Sequence, residues 1–200
     1  MLVSFFILAA LAIIWITNSY LTERFTETTR NRAEVRQALY TGQMLSELQR
    51  TSVVPLLLAR DPELISALNN NKYADTSRRL ISAQTEIGAA SIQLLDLSGR
   101  VVAATDRTLL GTKLNGNEGF VQAQRINGTI FSTVERTDGV FDFAFSRALY
   151  SEARVVGVIM VGVDLRRFEN AWAGEADAVA VVDSTNRIIL ATEPRWRGRT

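Results

Sequence analysis

The sequence predicts an α+β protein, because a helical first part gives way to a β-rich second part and one β-hairpin pattern occurs twice. Between residues 21 and 68, Gly42 is the only glycine, and Leu, Ala, Glu, Gln and Arg dominate. That composition is typical of helices. After Gly88 the pattern changes to short extended runs separated by turn residues. We therefore expect helices first and an antiparallel sheet after them.

The first segment of the chain is strongly apolar. From Leu2 to Ile16 the only polar side chain is Ser4. The run is slightly shorter than the roughly 20 residues of a spanning helix. It also lacks the basic start and the cleavage spacing of a signal peptide. We interpret residues 1–19 as a transmembrane anchor, with a signal peptide or a buried core helix as the alternatives. The arginines after it are interleaved with glutamates, so charge does not orient the anchor.

Residues 20–90 are predicted to form a long helix and a helical linker region. Pro55 should break or bend the long helix. Asp61 followed by Pro62 predicts an N-cap and a new helix. Gly88 predicts the end of the last helix in this region.

A β-hairpin pattern recurs at a constant offset of 87 residues, which aligns Ile92 with Val179 without a gap. Two unrelated hairpins that share turn residues are the simplest alternative. We interpret the pattern as two tandem copies of one α/β module. The matched positions are Asp96 with Asp183, Gly99 with Asn186, Arg100 with Arg187, and Thr105 with Thr192.

The repeat predicts how the rest of the chain is organised. Residues 91–168 are assigned to a membrane-distal PAS-like sensor module with five strands. Residues 169–200 are assigned to a connector and the start of a second, membrane-proximal PAS-like module. Because the second copy stops after its opening hairpin, we expect the natural protein to continue beyond Thr200.

Composition excludes several classes of active site. The chain has no histidine and no cysteine. Ser-His-Asp and Cys-His nucleophiles, common zinc sites and disulfides are therefore ruled out. With 22 basic and 21 acidic residues, it has no broad positive field for nucleic acid. No carboxylate pair typical of a hydrolase stands out, so we predict no catalytic residue, metal or cofactor in this chain.

Several stretches of the sequence have a familiar pattern. They are Val54 to Pro62 before a short helix, the hairpin from Ile92 to Thr105, Val155 to Val158 with Val163 to Leu165, Trp172, and the Pro-x-Trp-Arg run from Pro194 to Arg197. Together they resemble the sensor region of bacterial C4-dicarboxylate sensor histidine kinases of the DctB type. The ligand domain of that family is a double PAS-like, or double Cache, module between two membrane helices.

The resemblance implies a function for the chain. We expect the extracytoplasmic sensing region of a membrane-bound two-component sensor histidine kinase, in the inner membrane with its sensor in the periplasm. It would bind C4-dicarboxylates or another small organic acid and signal by helix rearrangement. A homodimer, a response regulator, and a kinase domain with ATP and Mg beyond Thr200 are implied, and nucleic acid is not. The alternative is the sensor of a chemoreceptor or of a cyclase-coupled receptor.

The ligand-contact positions depart from the family pattern. The Arg-x-Tyr-Phe run before the third strand meets residues 117–120, where Asn117 replaces the Arg and only Phe120 is kept. The basic residue late in the fifth strand falls on Gly162. Two cationic partners of a dicarboxylate are therefore absent at these positions.

Other residues are candidates to replace them. Arg136 and Thr137 match a polar turn that lines the family's pocket, and Asp142 is a candidate partner for an amino group. Alternation puts Phe143 and Phe145 on one face of a strand, where core packing is the simpler interpretation. For Arg136 and Arg147, a solvated or surface-paired side chain is likewise the simpler interpretation. The predicted ligand-binding residues are Asn117, Phe120, Thr133, Arg136, Thr137, Phe143, Phe145 and Arg147.

Overall fold

A computed structural model describes residues 15, 17, 30–135, 141–174 and 178–199. Apart from residues 15 and 17, the predicted anchor over residues 1–19 lies outside this range. Among the described residues, no helix is long and apolar enough to cross a membrane. The chain divides into two compact units between Leu45 and Ser46. The predicted division at residues 19, 90 and 168 stays a prediction.

Several helix boundaries before the sheet lie at the local signals in the sequence. The helices are α1 (residues 30–52), α2 (Val54–Leu58), α3 (Pro62–Asn70) and α4 (Thr76–Ile87). Pro55 lies in the first turn of α2, where it interrupts the long helix. The Asp61 carboxylate accepts a hydrogen bond from the N–H of Glu63 at 2.9 Å and so caps α3. Gly88 ends α4 with a left-handed φ of 74°.

An antiparallel sheet of five strands follows, in the order β2-β1-β5-β4-β3. Helix α5 (Glu118–Arg125) lies between β2 and β3 in the chain, and α6 (Arg166–Ala173) follows β5. The α+β fold predicted from the sequence is therefore confirmed. The strands are β1 (Ser91–Asp96), β2 (Val101–Ala104), β3 (Ile130–Glu135), β4 (Phe141–Ser151) and β5 (Arg154–Val163).

The sheet has two faces with different coverings. On one, Leu94, Ile159 and Val161 pack with the apolar side chains of α2, α3 and α4. On the other, Leu95 and Met160 pack with Phe120 of α5. We call these the α2–α4 face and the α5 face. Because side chains alternate along a strand, the pairing register assigns each sheet residue to one of them.

The second hairpin repeats the first in atomic detail. It consists of β6 (Ala180–Val182) and β7 (Ile188–Ala191). Asp96 accepts hydrogen bonds from the Ser98 hydroxyl at 2.6 Å and the Arg100 N–H at 3.0 Å. Asp183 accepts equivalent bonds at 2.6 Å and 3.0 Å. Each hairpin is followed by a short 3-10 helix, Arg107–Leu109 in the first copy and Pro194–Trp196 in the second. These matches support one module present twice.

Candidate ligand-binding site

A cavity of about 730 Å³ opens on the α5 face of the sheet. Its floor is formed where β1 and β4 begin and β5 ends, and its wall by the segment between β2 and α5. The volume lies within the usual range for small-molecule sites. A small organic molecule fits this space, so we take the cavity as the candidate site.

The described lining of the cavity combines polar and apolar side chains and carries no cationic side chain. Three carboxylates border it, those of Asp106, Asp142 and Asp164. Hydrogen bonds from the hydroxyl and N–H of Thr108 hold the pKa of Asp106 below its usual range. Neutral polar side chains also line the cavity. They are Gln84, Ser91, Gln93, Thr105, Thr108, Thr112 and Asn117.

Gln93 presents an unsatisfied acceptor at the cavity. Its Oε1 atom is buried and has no hydrogen-bond partner. A buried acceptor without a partner lowers the stability of the folded state by about 1–3 kcal/mol, unless a donor forms a hydrogen bond with it. A ligand with a hydroxyl or ammonium group can supply that donor.

Two further hydroxyls without partners lie beneath α5. Ser132 and Ser146 are 5% and 0% exposed, and neither Oγ atom has a hydrogen-bond partner. Both lie close to Gly119, since a Cβ there would meet Ser132 Oγ in severe contact and Ser146 Oγ at 2.8 Å. Gly119 therefore allows α5 to approach the sheet closely.

The two positions where the sequence lacks an expected cation both border the cavity. At the first, Asn117 caps α5, because its Oδ1 accepts a hydrogen bond from the N–H of Phe120 at 3.1 Å. At the second, Gly162 has no side chain, and a Cβ there would overlap Ser91 Oγ. Neither position supplies a charge to a carboxylate.

The structure does not bring those predicted ligand-binding residues that it describes together into one site. Asn117 borders the cavity, and Phe120 is 3% exposed in the core beneath α5. Phe145 pairs with Val161 and Arg147 with Ile159, which places both on the α2–α4 face. The sheet therefore separates them from the cavity.

Thr133 and Phe143 are paired with each other and share that α2–α4 face. Phe143 is nevertheless among the residues that line the cavity, and it is 3% exposed. The Phe131 ring lies 6.4 Å from Phe143 and 5.0 Å from Phe145, measured between centroids. The burial of the Phe stripe agrees with the core-packing interpretation.

Arg147 donates a hydrogen bond to Thr129 Oγ1 at 3.3 Å, away from the cavity. Arg136 and Thr137 lie outside the described residues, so their predicted role stays a prediction. Asp96 and Asp183 close the hairpin turns, as the sequence predicts.

Sequence reasoning missed most of the cavity floor. Ser91, Gln93 and Met160 line it, and none was singled out in advance. One signal was available, since Gln93 stands between the apolar residues Ile92 and Leu94. A lone polar residue at an alternating position marks a face that meets polar contents.

The sequence of this chain is similar to that of a known protein. No family model matches the sequence. The chain is 26% identical to the C4-dicarboxylate transport sensor protein DctB of Pseudomonas aeruginosa, over 89% of this chain and 30% of that protein. It thus spans less than a third of the length of this curated relative.

A solved structure decides the type of fold. The sensor domain of the Vibrio cholerae histidine kinase DctB matches with a TM-score of 0.75 and 22% identity, over 84% of this chain and 68% of that one. The chain has a DctB-type sensor fold. The family resemblance seen in the sequence is therefore confirmed.

The DctB-type fold is shared with chemoreceptors. The ligand-binding domain of the Pseudomonas aeruginosa amino acid chemoreceptor PctC, in complex with GABA, matches with a TM-score of 0.64 and 16% identity, over 86% of this chain and 79% of that one. Histidine kinases and chemoreceptors thus use this fold to sense small molecules. The chain therefore has a fold that occurs in small-molecule sensor domains.

Proposed function

We propose that this chain is the extracytoplasmic sensing region of a membrane-bound two-component sensor histidine kinase. Its ligand is a small organic acid that enters the cavity on the α5 face. The observation that carries the proposal is this cavity of about 730 Å³, lined by both polar and apolar side chains, within a DctB-type sensor fold. The apolar run over residues 1–19 supports a membrane anchor. The kinase reaction, with ATP and Mg, and the response regulator belong to other parts of the signalling system.

Two ligand classes follow from the relatives. C4-dicarboxylates are the class in the name of DctB, and a GABA complex represents amino acids among the chemoreceptors. The described lining favours the second class, because it combines three carboxylates with an unsatisfied Gln93 oxygen. An amino acid presents an ammonium group to these acceptors, whereas a dicarboxylate presents none. Arg136 is the predicted cation for a carboxylate group.

A thermal-shift series separates the two classes. Succinate, malate and fumarate form one set, and GABA, isoleucine and valine the other. A ligand at 100 times its Kd stabilises the folded chain by about 2.7 kcal/mol. We expect melting temperature to rise with at least one amino acid. A rise only with dicarboxylates would reverse the preferred class, and flat curves for both sets would reject the small-acid ligand.

Two variants test whether the rise in melting temperature comes from binding in the cavity. Gln93→Ala removes the unsatisfied acceptor and should weaken binding about fivefold to tenfold, corresponding to about 1–1.5 kcal/mol for one hydrogen bond. Gln124→Ala is the matched control, because Gln124 lies on α5 outside the lining and bonds Leu97 O at 3.4 Å. Equal losses of ligand affinity in Gln93→Ala and Gln124→Ala would mean that the ligand binds outside this cavity.

The chemoreceptor is the second candidate, favoured by the match to the PctC ligand-binding domain. Both candidates use the same cavity. The domain that follows the sensor in the full-length protein distinguishes them, since only a histidine kinase carries a phosphoacceptor histidine and an ATP site.

A further inference from the structure

Two carboxylates in the second compact unit are almost completely removed from solvent. Glu47 on α1 is 8% exposed, and Glu169 on α6 is 4% exposed. Buried glutamates are rare unless they are paired, because an unpaired charge in the interior is costly. Both carboxylates are paired, and α6 takes part in both pairs.

The first pair joins α6 to the long helix. The Arg167 guanidinium on α6 contacts the Glu47 carboxylate directly. Arg50 also donates to Glu47, from Nη2 at 2.7 Å and from Nε at 3.1 Å. Burial raises the pKa of the Glu47 carboxyl, but the hydrogen bonds and charges of Arg50 and Arg167 outweigh it, so its pKa lies below the usual range. The carboxylate is therefore held in its charged form.

The second pair joins α6 to the second hairpin. Glu169 Oε1 accepts hydrogen bonds from the N–H of Ala191 at 2.8 Å and from Arg197 Nε at 2.9 Å. Glu169 Oε2 accepts one from Arg197 Nη2 at 2.6 Å. This two-point geometry fixes both the distance and the orientation of the guanidinium.

The cavity meets α6 at the end of β5. Val163 and Asp164 line the cavity, and α6 begins at Arg166. A ligand that moves this end of β5 therefore also acts on α6. This step rests on the proposed function, whereas the two ion pairs do not.

We propose that α6 is a coupling element, which ties residues 46–52 of α1 to the β6–β7 hairpin through Glu47 and Glu169. A displacement at the cavity end of β5 is then passed to the long helix and to the second hairpin together. Glu47 and Glu169 are positioning residues in this scheme. They act through their arginine partners and do not touch the ligand.

Hydrogen exchange on the full chain without ligand tests the coupling. Glu47→Gln should speed amide exchange in β6 and β7, on the far side of α6. Glu169→Gln should speed exchange in residues 46–52. Coupling is reciprocal, so we expect about fivefold or more in both directions, the lower end of typical coupling between sites. Amides of β1 should keep their rates.

If Glu47 and Glu169 each stabilise only their own side of α6, the exchange experiment gives a different result. If each substitution speeds exchange only on its own side of α6, the coupling proposal is overturned. Glu193→Gln is the matched control, because Glu193 forms an exposed pair with Arg195 at 3.3 Å just after the same hairpin. This substitution should leave the amide exchange rates of residues 46–52 unchanged.

Global destabilisation is recognised by faster exchange in β1 as well. In that case Arg167→Lys and Arg197→Lys decide, since lysine keeps the charge and loses the fork geometry. The coupling is supported if Arg167→Lys speeds exchange in β6 and β7 and Arg197→Lys speeds exchange in residues 46–52. It is rejected if these rates do not rise. Because no ligand is used, this result is independent of whether the cavity binds an organic acid.

Discussion

Within these 200 residues, the two copies of the hairpin share their hydrogen bonds but differ in burial. Leu95 in the first copy is 0% exposed, and its counterpart Val182 is 51% exposed. The first copy is buried because β1 also pairs with β5 inside a five-stranded sheet. Among the described residues, β6 pairs only with β7. The turn residues therefore close a hairpin, and its neighbours determine how deeply it is buried.

The largest expected contrast concerns core packing. Leu94→Ala should lower the free energy of unfolding by about 3 kcal/mol, because Leu94 is fully buried. Its counterpart variant, Val181→Ala, should cost about 1 kcal/mol or less, because Val181 is smaller and only half-buried. Urea unfolding followed by circular dichroism measures both. Equal losses would show that the two hairpins are buried alike.

A smaller contrast concerns the left-handed turn position. Gly99 has φ 77°, and a Cβ there would lie 2.7 Å from Asn115 Cα and N. Gly99→Asn should therefore cost about 2 kcal/mol or more. Asn186 already holds φ 63°, so the reverse change, Asn186→Gly, should alter the free energy of unfolding by about 0.5 kcal/mol or less. A cost near zero for Gly99→Asn in thermal melts would contradict the close approach of Asn115.

A third contrast concerns one repeated hydrogen bond. Thr105 Oγ1 accepts from the N–H of Ile92 at 3.1 Å, and Thr192 Oγ1 accepts from the N–H of Val179 at 3.1 Å. Thr105→Val should cost about 1–2 kcal/mol, because Ile92 is fully buried and its N–H loses its partner. Thr192→Val should cost about 0.5 kcal/mol, because water can replace the bond at half-buried Val179. Chemical denaturation of both variants gives the comparison.

The smallest effect is a pH dependence of the second hairpin. Hydrogen bonds from the Thr185 hydroxyl and the Arg187 N–H lower the pKa of Asp183. A lowered pKa means that the stabilisation is complete above the ordinary aspartate pKa, about 3.9, and is lost as pH falls through the folded value. The Thr185 amide shift, followed by NMR from about pH 6 downward, should report this loss.

Asp183→Asn provides the control for that titration. Its Thr185 amide should show no transition in the acid range, because the titrating group has been removed. A transition at or above the ordinary aspartate pKa in the unsubstituted chain would contradict the lowered value.

Local signals predicted the element boundaries well. Asp61 caps α3 and Gly88 ends α4, since caps depend on residues close together in the chain. The candidate site was predicted less well. Alternation correctly grouped Phe143 with Phe145, but it could not show which face of the sheet holds the cavity. That face depends on where α5 packs, which is a long-range property.

The sequence by itself determined the fold class, the caps, the repeated hairpin and the lack of histidine and cysteine chemistry. These features follow from composition and from contacts between near neighbours in the chain. Only the tertiary structure placed Gln93 at the cavity, separated Phe145 and Arg147 from it, and buried Glu169 against Arg197. Such placements depend on strand order and helix packing, because residues far apart in the chain share one environment only after the whole sheet has assembled.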